Sequence, residues 1–300
     1  MPSPIDSRRA AARGIAPGRT QPPNQRGPLR VLGLTTRRAW AIALSALGLA
    51  ATLAPLARAA PAQESAGLPL PSAINKSGRQ RMLSQRMGKA WAMQALSVEP
   101  AMAAKIMQQS QDLFASQLGE LQQTVPTSEI AAAVSALTQS WANYRRDLQL
   151  TPNLDNASRV YRSGDQTLQR AQDLTVLYEK FLGTPQAVLV NVAGRERMLS
   201  QRMARAFYFG KLRIVADTGS DLKTASQEFL AGLKRLQEAP QNTQDIKNEL
   251  ELAAQQWIFF QSAITGALPD NDSNRNVATT SERLLQQMNE VTTKYEKIAG

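Results

Sequence analysis

Residues 74–87 read INKSGRQRMLSQRM, and residues 190–203 read VNVAGRERMLSQRM. Asn75, Gly78, Arg79, Arg81 and the whole run from Met82 to Met87 meet identical residues at a constant offset of 116 positions. Trp141 and Trp257 keep that offset, and YEKFLG at 178–183 is answered by YEKIAG at 295–300, one residue later. Agreement at the start, middle and end of a stretch marks duplication of a whole structural unit. The chain from residue 70 onward therefore reads as two copies of a unit of about 110 residues.

Within each copy the apolar residues recur with helical spacing, and nothing alternates as a strand would. The first copy is expected to form helices near 72–97, 99–124, 128–149 and 154–182, broken at VEP, TVPTS and LTPN, with Ser128 and Asn153 as cap candidates. The second is expected to form helices near 186–216, 220–238, 242–266 and 273–298, broken at DTGSD, EAPQN and ALPDNDSN. Four helices with short connections make an antiparallel bundle. The expected fold is all-α: two tandem antiparallel four-helix bundle units, at 70–183 and 186–300. The junction GTPQ at 183–186 is either a kink in one long helix or a turn between units.

On a helical wheel, Leu83, Met87, Ala90 and Trp91 share one face, as do Leu199, Met203, Ala206 and Phe207; these are core stripes. A second face is unusual. Ile74, Ser77, Gly78, Ser84, Gly88 and Ala92 surround Arg81, and Val190, Ala193, Gly194, Ser200 and Ala204 surround Arg197. Glycine inside a helix costs about 1 kcal/mol against alanine, so its use here implies close approach of another helix. Two such faces in contact would set the two arginines against each other. Like charges about 4 Å apart repel by roughly 4 kcal/mol at an effective dielectric near 20. A bound anion would turn that repulsion into two charge-assisted contacts. The alternative is an ion pair from each arginine to a carboxylate on another helix. Arg79, Arg86 and Lys89 fall on a third face with Asn75, as a solvated stripe or as ion pairs.

The net charge of +11 is unevenly spread. Residues 1–62 hold nine Lys/Arg and one Asp, whereas the rest holds 26 basic and 23 acidic residues, so nucleic acid is not an expected partner. RVLGLTTRRAW, the apolar AWAIALSALGLAATLAPLA and the small-residue ARAAPA have the layout of an export signal, behind an Arg/Pro-rich extension. Residues 1–62 are thus expected to be a targeting segment, cleaved or retained as an anchor, which sends the protein to the periplasm. The sequence has no cysteine and no histidine, which excludes disulfides, thiol and imidazole catalysis and the usual zinc, copper and haem ligand sets. No Asp/Glu pair is seen to recur between the copies, so neither an enzyme nor a cofactor is expected.

The motif resembles the N-terminal sensor module shared by nitrate/nitrite sensor kinases of the NarX/NarQ kind and PilJ-type type IV pilus chemotaxis transducers. The resemblance covers nearly all of the chain beyond the leader, and MLSQRM is closer to the pilus-transducer version. It implies a periplasmic antiparallel four-helix bundle. In the nitrate sensors the arginine three positions after the motif glycine meets the anion across a two-fold seam. Gly78 carries that role to Arg81 and Gly194 carries it to Arg197. Lys76 matches the family's basic residue, with Val192 at its second-copy position, and Ile74 and Val190 open the two motifs. Glu196, where the first copy has Gln80, is expected to add a negative charge beside the site. No kinase or methyl-accepting region follows the second unit, so a separate signalling or membrane protein is the expected partner. The expectation is a sensor for a small inorganic oxyanion, nitrate- or nitrite-like. Its seam is either an intrachain pseudo-dimer or a homodimer, and the alternative is a module that docks onto a receptor or pilus component without a ligand.

Overall fold

The computed structural model describes residues 67–213, 217–265 and 270–300, all of them within one compact body spanning Ala60–Gly300. The expected targeting segment, residues 1–62, lies outside the described residues. Among the described residues eight helices run in order: α1 (Leu70–Ala95), α2 (Pro100–Gln122), α3 (Ser128–Leu148), α4 (Leu154–Leu182), α5 (Pro185–Leu212), α6 (Thr218–Gln237), α7 (Gln244–Ile264) and α8 (Asp270–Ala299). No strand occurs among the described residues. None of these helices is long and apolar enough to cross a membrane.

The helix ends follow local chemistry. Thr127, not the expected Ser128, caps α3, its side chain accepting from Ile130 N. Asn153 caps α4, accepting from Asn156 N. α5 stops at Leu212 rather than near 216, because Arg213 takes a left-handed conformation (φ 55°). The junction at 183–186 is a turn. Gly183 closes α4 at φ 67°, and Thr184 then caps α5, accepting from Ala187 N, with Pro185 in its first turn.

Each copy folds around the same aromatic pair. Phe114 stacks on Trp141 at 4.2 Å between ring centroids, and Phe229 stacks on Trp257 at 4.8 Å. Tyr178 and Tyr295, from the repeated YEK segments, are both fully buried. Phe207 departs from expectation. It is only partly buried, while Tyr208 and Phe209 take the core positions and Phe209 stacks on Trp91 across the copies.

The most extensive helix contact in the body joins the copies: α1 against α5. The two helices run parallel and in register. Asn75 meets Arg197, Gly88 lies beside Arg205, and Trp91 meets Phe209. α4 and α8 flank this pair, α4 packing on α1 and touching α5, α8 packing on α5 and touching α1. α2 and α6 cover the outer sides of α1 and α5. The motif helices are therefore central, and most of α1 is buried on every side, polar residues included.

A methyl group added at Gly183 would meet open space, with only Lys180 O near, at 3.6 Å, so substitution there tests conformation rather than packing. Gly183→Ala should lower unfolding free energy by about 1–2 kcal/mol, the cost of a left-handed L-residue, as read from urea denaturation.

Candidate functional site at the repeat seam

Arg81 and Arg197 are both completely buried at the α1–α5 contact. A Cβ at Gly194 would lie 3.2 Å from Arg197 Nη2 and 3.3 Å from Arg81 Nη2, so the two terminal nitrogens are no farther apart than those distances combined. A Cβ at Gly78 would lie 2.9 Å from Arg81 Nη2 and 3.8 Å from Arg197 Nη2. The two glycines thus cut the space that holds both guanidinium groups. This is a close approach that alanine would obstruct.

Their partners obey a pseudo-two-fold relation. Arg81 Nη1 donates to Gln172 Oε1 of α4 (2.5 Å), and Arg197 Nη1 donates to Asn289 Oδ1 of α8 (3.1 Å). Across the seam, Arg81 Nη2 donates to Asn191 O (3.3 Å) and Arg197 Nη2 to Asn75 O (3.2 Å). Those asparagines are themselves fixed, Asn191 Nδ2 donating to Glu179 (2.5 Å) and Asn75 Nδ2 to Glu296. Each of these guanidinium partners is neutral. No carboxylate lies within ion-pairing distance of either one among the described residues, and Arg197 Nε has no hydrogen-bond partner. The ion-pair alternative for these two arginines is therefore not what the fold adopts.

Burial is the main force pulling both guanidiniums below their ordinary range, with Arg195 adding to it at Arg81, which falls to about 9, and Arg79 and Arg81 adding to it at Arg197. Both cations keep their protons at neutral pH, since a guanidinium does not give one up in a protein. The arrangement is therefore two buried positive charges side by side, met at hydrogen-bonding distance by neutral groups.

About two helical turns on, a second tier of cations is treated differently. Lys89, fully buried on α1, reaches Glu282 of α8 at 2.6 Å, and Arg86 joins the same carboxylate at 2.5 Å. Its counterpart Arg205, buried on α5, pairs with Asp165 of α4 at 2.6 Å and lies 3.6 Å over the ring of Tyr161. Arg205 also donates to Gln85 across the seam. Lys89 is not on a solvated face. Nor is the absence of recurring acids upheld: Asp165 and Glu282, and likewise Glu179 and Glu296, correspond at an offset of 117. Asp165 and Glu282 pair with the second-tier cations, and Glu179 and Glu296 accept from the seam asparagines.

The remaining expected residues divide. Ile74 and Val190 are buried on the motif helices, close in sequence to the arginines. Lys76 is not brought to the cluster; its ammonium pairs with Glu120 of α2. Glu196 turns away toward α6, where a Cβ on Gly232 would collide with its carboxyl group. Burial raises that carboxyl well above its usual range, with Arg195 and Arg81 too weak to reverse the effect, so the expected negative charge beside the arginines is suppressed. Gln172 and Asn289 lie outside the motif, and sequence reasoning does not single them out. The 117-residue offset that aligns YEKFLG with YEKIAG also aligns these two, and it is the signal that could have found them.

Two pH effects follow. Burial alone would raise the Glu282 carboxyl, but Lys89 and Arg86 outweigh it and hold it at about 2. Its stabilisation is complete above the ordinary value of 4.5 and drains as pH falls toward 2. Glu282→Gln should cost about 3 kcal/mol at pH 7, by stranding buried Lys89, and should flatten the acid limb of the stability curve. Glu196 has the opposite sign. Its folded carboxyl holds a proton that the unfolded chain has lost, so it erodes stability as pH rises above 4.5. Glu196→Gln, restoring the first copy's residue, should gain stability over the parent protein increasingly as pH rises above 4.5, as read from urea titrations.

The family model for PilJ, described as Type IV pili methyl-accepting chemotaxis transducer N-term, matches twice, over residues 70–173 and 184–282. No curated protein and no solved structure matches the chain. The two matches span α1 to α4 and α5 into α8, and each begins at a motif helix. The chain belongs to the PilJ family and carries its sensor domain twice in tandem.

Proposed function

We propose that this protein is an exported sensor for a small oxyanion of the nitrate or nitrite type. The anion is held between Arg81 and Arg197, and its occupancy is passed to a separate signalling or membrane protein. The observation that carries the reading is the pair of buried guanidiniums beside Gly78 and Gly194, with no carboxylate within ion-pairing distance among the described residues. Burying one unpaired charge costs several kcal/mol. The neutral contacts to Gln172, Asn289 and two backbone carbonyls return only about 1–3 kcal/mol each. The protein spends glycines to bring these charges together, whereas the second tier shows that carboxylates were available to the same helices. A planar anion would accept from both Nη2 groups at once and remove their repulsion.

The signal path follows from the same contacts. Nη1 of each arginine is tied to α4 or α8, the last helix of its copy. An anion that draws the guanidiniums toward the seam axis would pull on both helices together. One chain then does what two chains do in a dimeric sensor, and the periplasmic setting fits the family and the leader-like first 62 residues. Lys76, tied to Glu120, is left out of this site.

The test is thermal unfolding of the full chain against nitrate, nitrite, sulfate, phosphate and chloride. At 100 times Kd a specific anion should add about 2.7 kcal/mol, a rise of roughly 5–10 °C for a body of this size. Arg81→Ala and Arg197→Ala should each abolish that rise, and each should leave the anion-free protein as stable or more so. If no anion shifts the midpoint and both variants are destabilised, the arginines are packing elements and the domain acts only by docking.

A further inference from the structure

The two seam arginines are completely buried, so an anion needs a way in, and the two flanks of the seam differ. Between α1, α2 and α8 lies a cleft of about 530 Å³, whose walls include Arg79, Arg86, Arg283, Asn289, Glu282 and Glu290. Asn289 is the residue whose Oδ1 accepts from Arg197 Nη1, so one side chain both lines the cleft and touches the buried cation. Arg79 has no carboxylate within ion-pairing distance among the described residues, and its Nε is buried without a hydrogen-bond partner. Glu296 and Glu120 act on it from farther off. Glu282 is already neutralised by Arg86 and Lys89. Glu290 and Arg283 lie at the outer rim.

The opposite flank, between α5, α6 and α4, is closed electrostatically. Arg195, the counterpart of Arg79, pairs with Glu228 at 2.9 Å, and Arg202, the counterpart of Arg86, pairs with Asp221 at 3.0 Å. Both carboxylates belong to α6. The Phe114–Trp141 and Phe229–Trp257 stacks align α2 with α6, and that alignment sets Leu113 where α6 has Glu228 and Ile106 where it has Asp221. α2 therefore offers Arg79 no such carboxylate, and Leu113 lines the cleft beside it.

We propose that the α1–α2–α8 cleft is the single loading port of the seam, in which Arg79 receives the anion and Asn289 passes it to Arg197. This rests on the oxyanion reading above. Arg79 supplies a charge without an ion-pair partner among the described residues at the mouth of a low-dielectric passage, which raises local anion concentration and association rate. Asn289, by releasing Arg197 Nη1, opens the inner end.

The probe is isotope-labelled nitrate with the full chain, its exchange followed by NMR line broadening and its affinity by calorimetry. Arg79→Gln should slow association by about fivefold or more, while Arg195→Gln on the closed flank should change it by less than about twofold. Arg79→Lys should keep the parent rate. Gln286→Trp, which narrows the cleft from an exposed wall position, should slow association and dissociation together and leave affinity and melting temperature unchanged. Equal slowing by Arg79→Gln and Arg195→Gln, or no slowing by Arg79→Gln and Gln286→Trp, overturns the port while leaving the seam site intact. If the parent protein does not broaden the nitrate signal, the seam reading fails, and the port fails with it.

Discussion

Two guanidinium groups buried beside each other, without a carboxylate between them, set the terms for the rest of this fold. Their mutual repulsion has to be held in check by everything that packs around them. That requirement accounts for the central placement of α1 and α5, the two helices that carry the arginines. It accounts for Gly78 and Gly194, which trade helix propensity for room. It also accounts for the asparagines whose backbone carbonyls receive Nη2 while their side chains are clamped by Glu179 and Glu296. The acids of α4 and α8 sit one residue-shell away from the arginines, close enough to lower the field and too far to quench it.

The second tier shows that this is a choice of composition and not an incapacity of the scaffold. Lys89 and Arg205 occupy the same two helices and the same degree of burial, yet each is met by a carboxylate from the opposite copy. These crossed pairs knit α1 to α8 and α5 to α4, so the halves cannot separate without exposing buried charge. The lower tier therefore fixes the register in which the upper tier is presented.

Much of this is legible in the sequence, because duplication supplies its own alignment. Eight helices and their order follow from apolar periodicity and proline-bearing breaks, and the repeated 14-residue motif marks the seam arginines. The choice between Arg81 meeting Arg197 in one chain and a pairing of two chains is open in the sequence. What escapes is set by side-chain direction. A wheel places Lys89 near the polar face, but tight packing of α1 against α5 and α8 leaves it no water, and only the other copy's Glu282 explains it. Glu196 lies next to Arg197 in sequence and points to α6, since adjacent helix positions diverge by about 100°. Lys76 matches a family position but is held by Glu120, a partner 44 residues away that no local pattern announces. Gln172 and Asn289 are hidden by a one-residue slip in the repeat, which moves the offset from 116 to 117.

Joining both halves of the seam in one chain has a consequence for how the protein can change. In a symmetric dimer every substitution is made twice, and a residue that suits one side is imposed on the other. Here Gln80 and Glu196, Gln172 and Asn289, and Leu113 and Glu228 have already parted company. The halves also meet at an effective concentration fixed by the two-residue turn between α4 and α5, typically in the millimolar range for a short connection. Assembly of the seam is then insensitive to how many copies of the protein the cell makes.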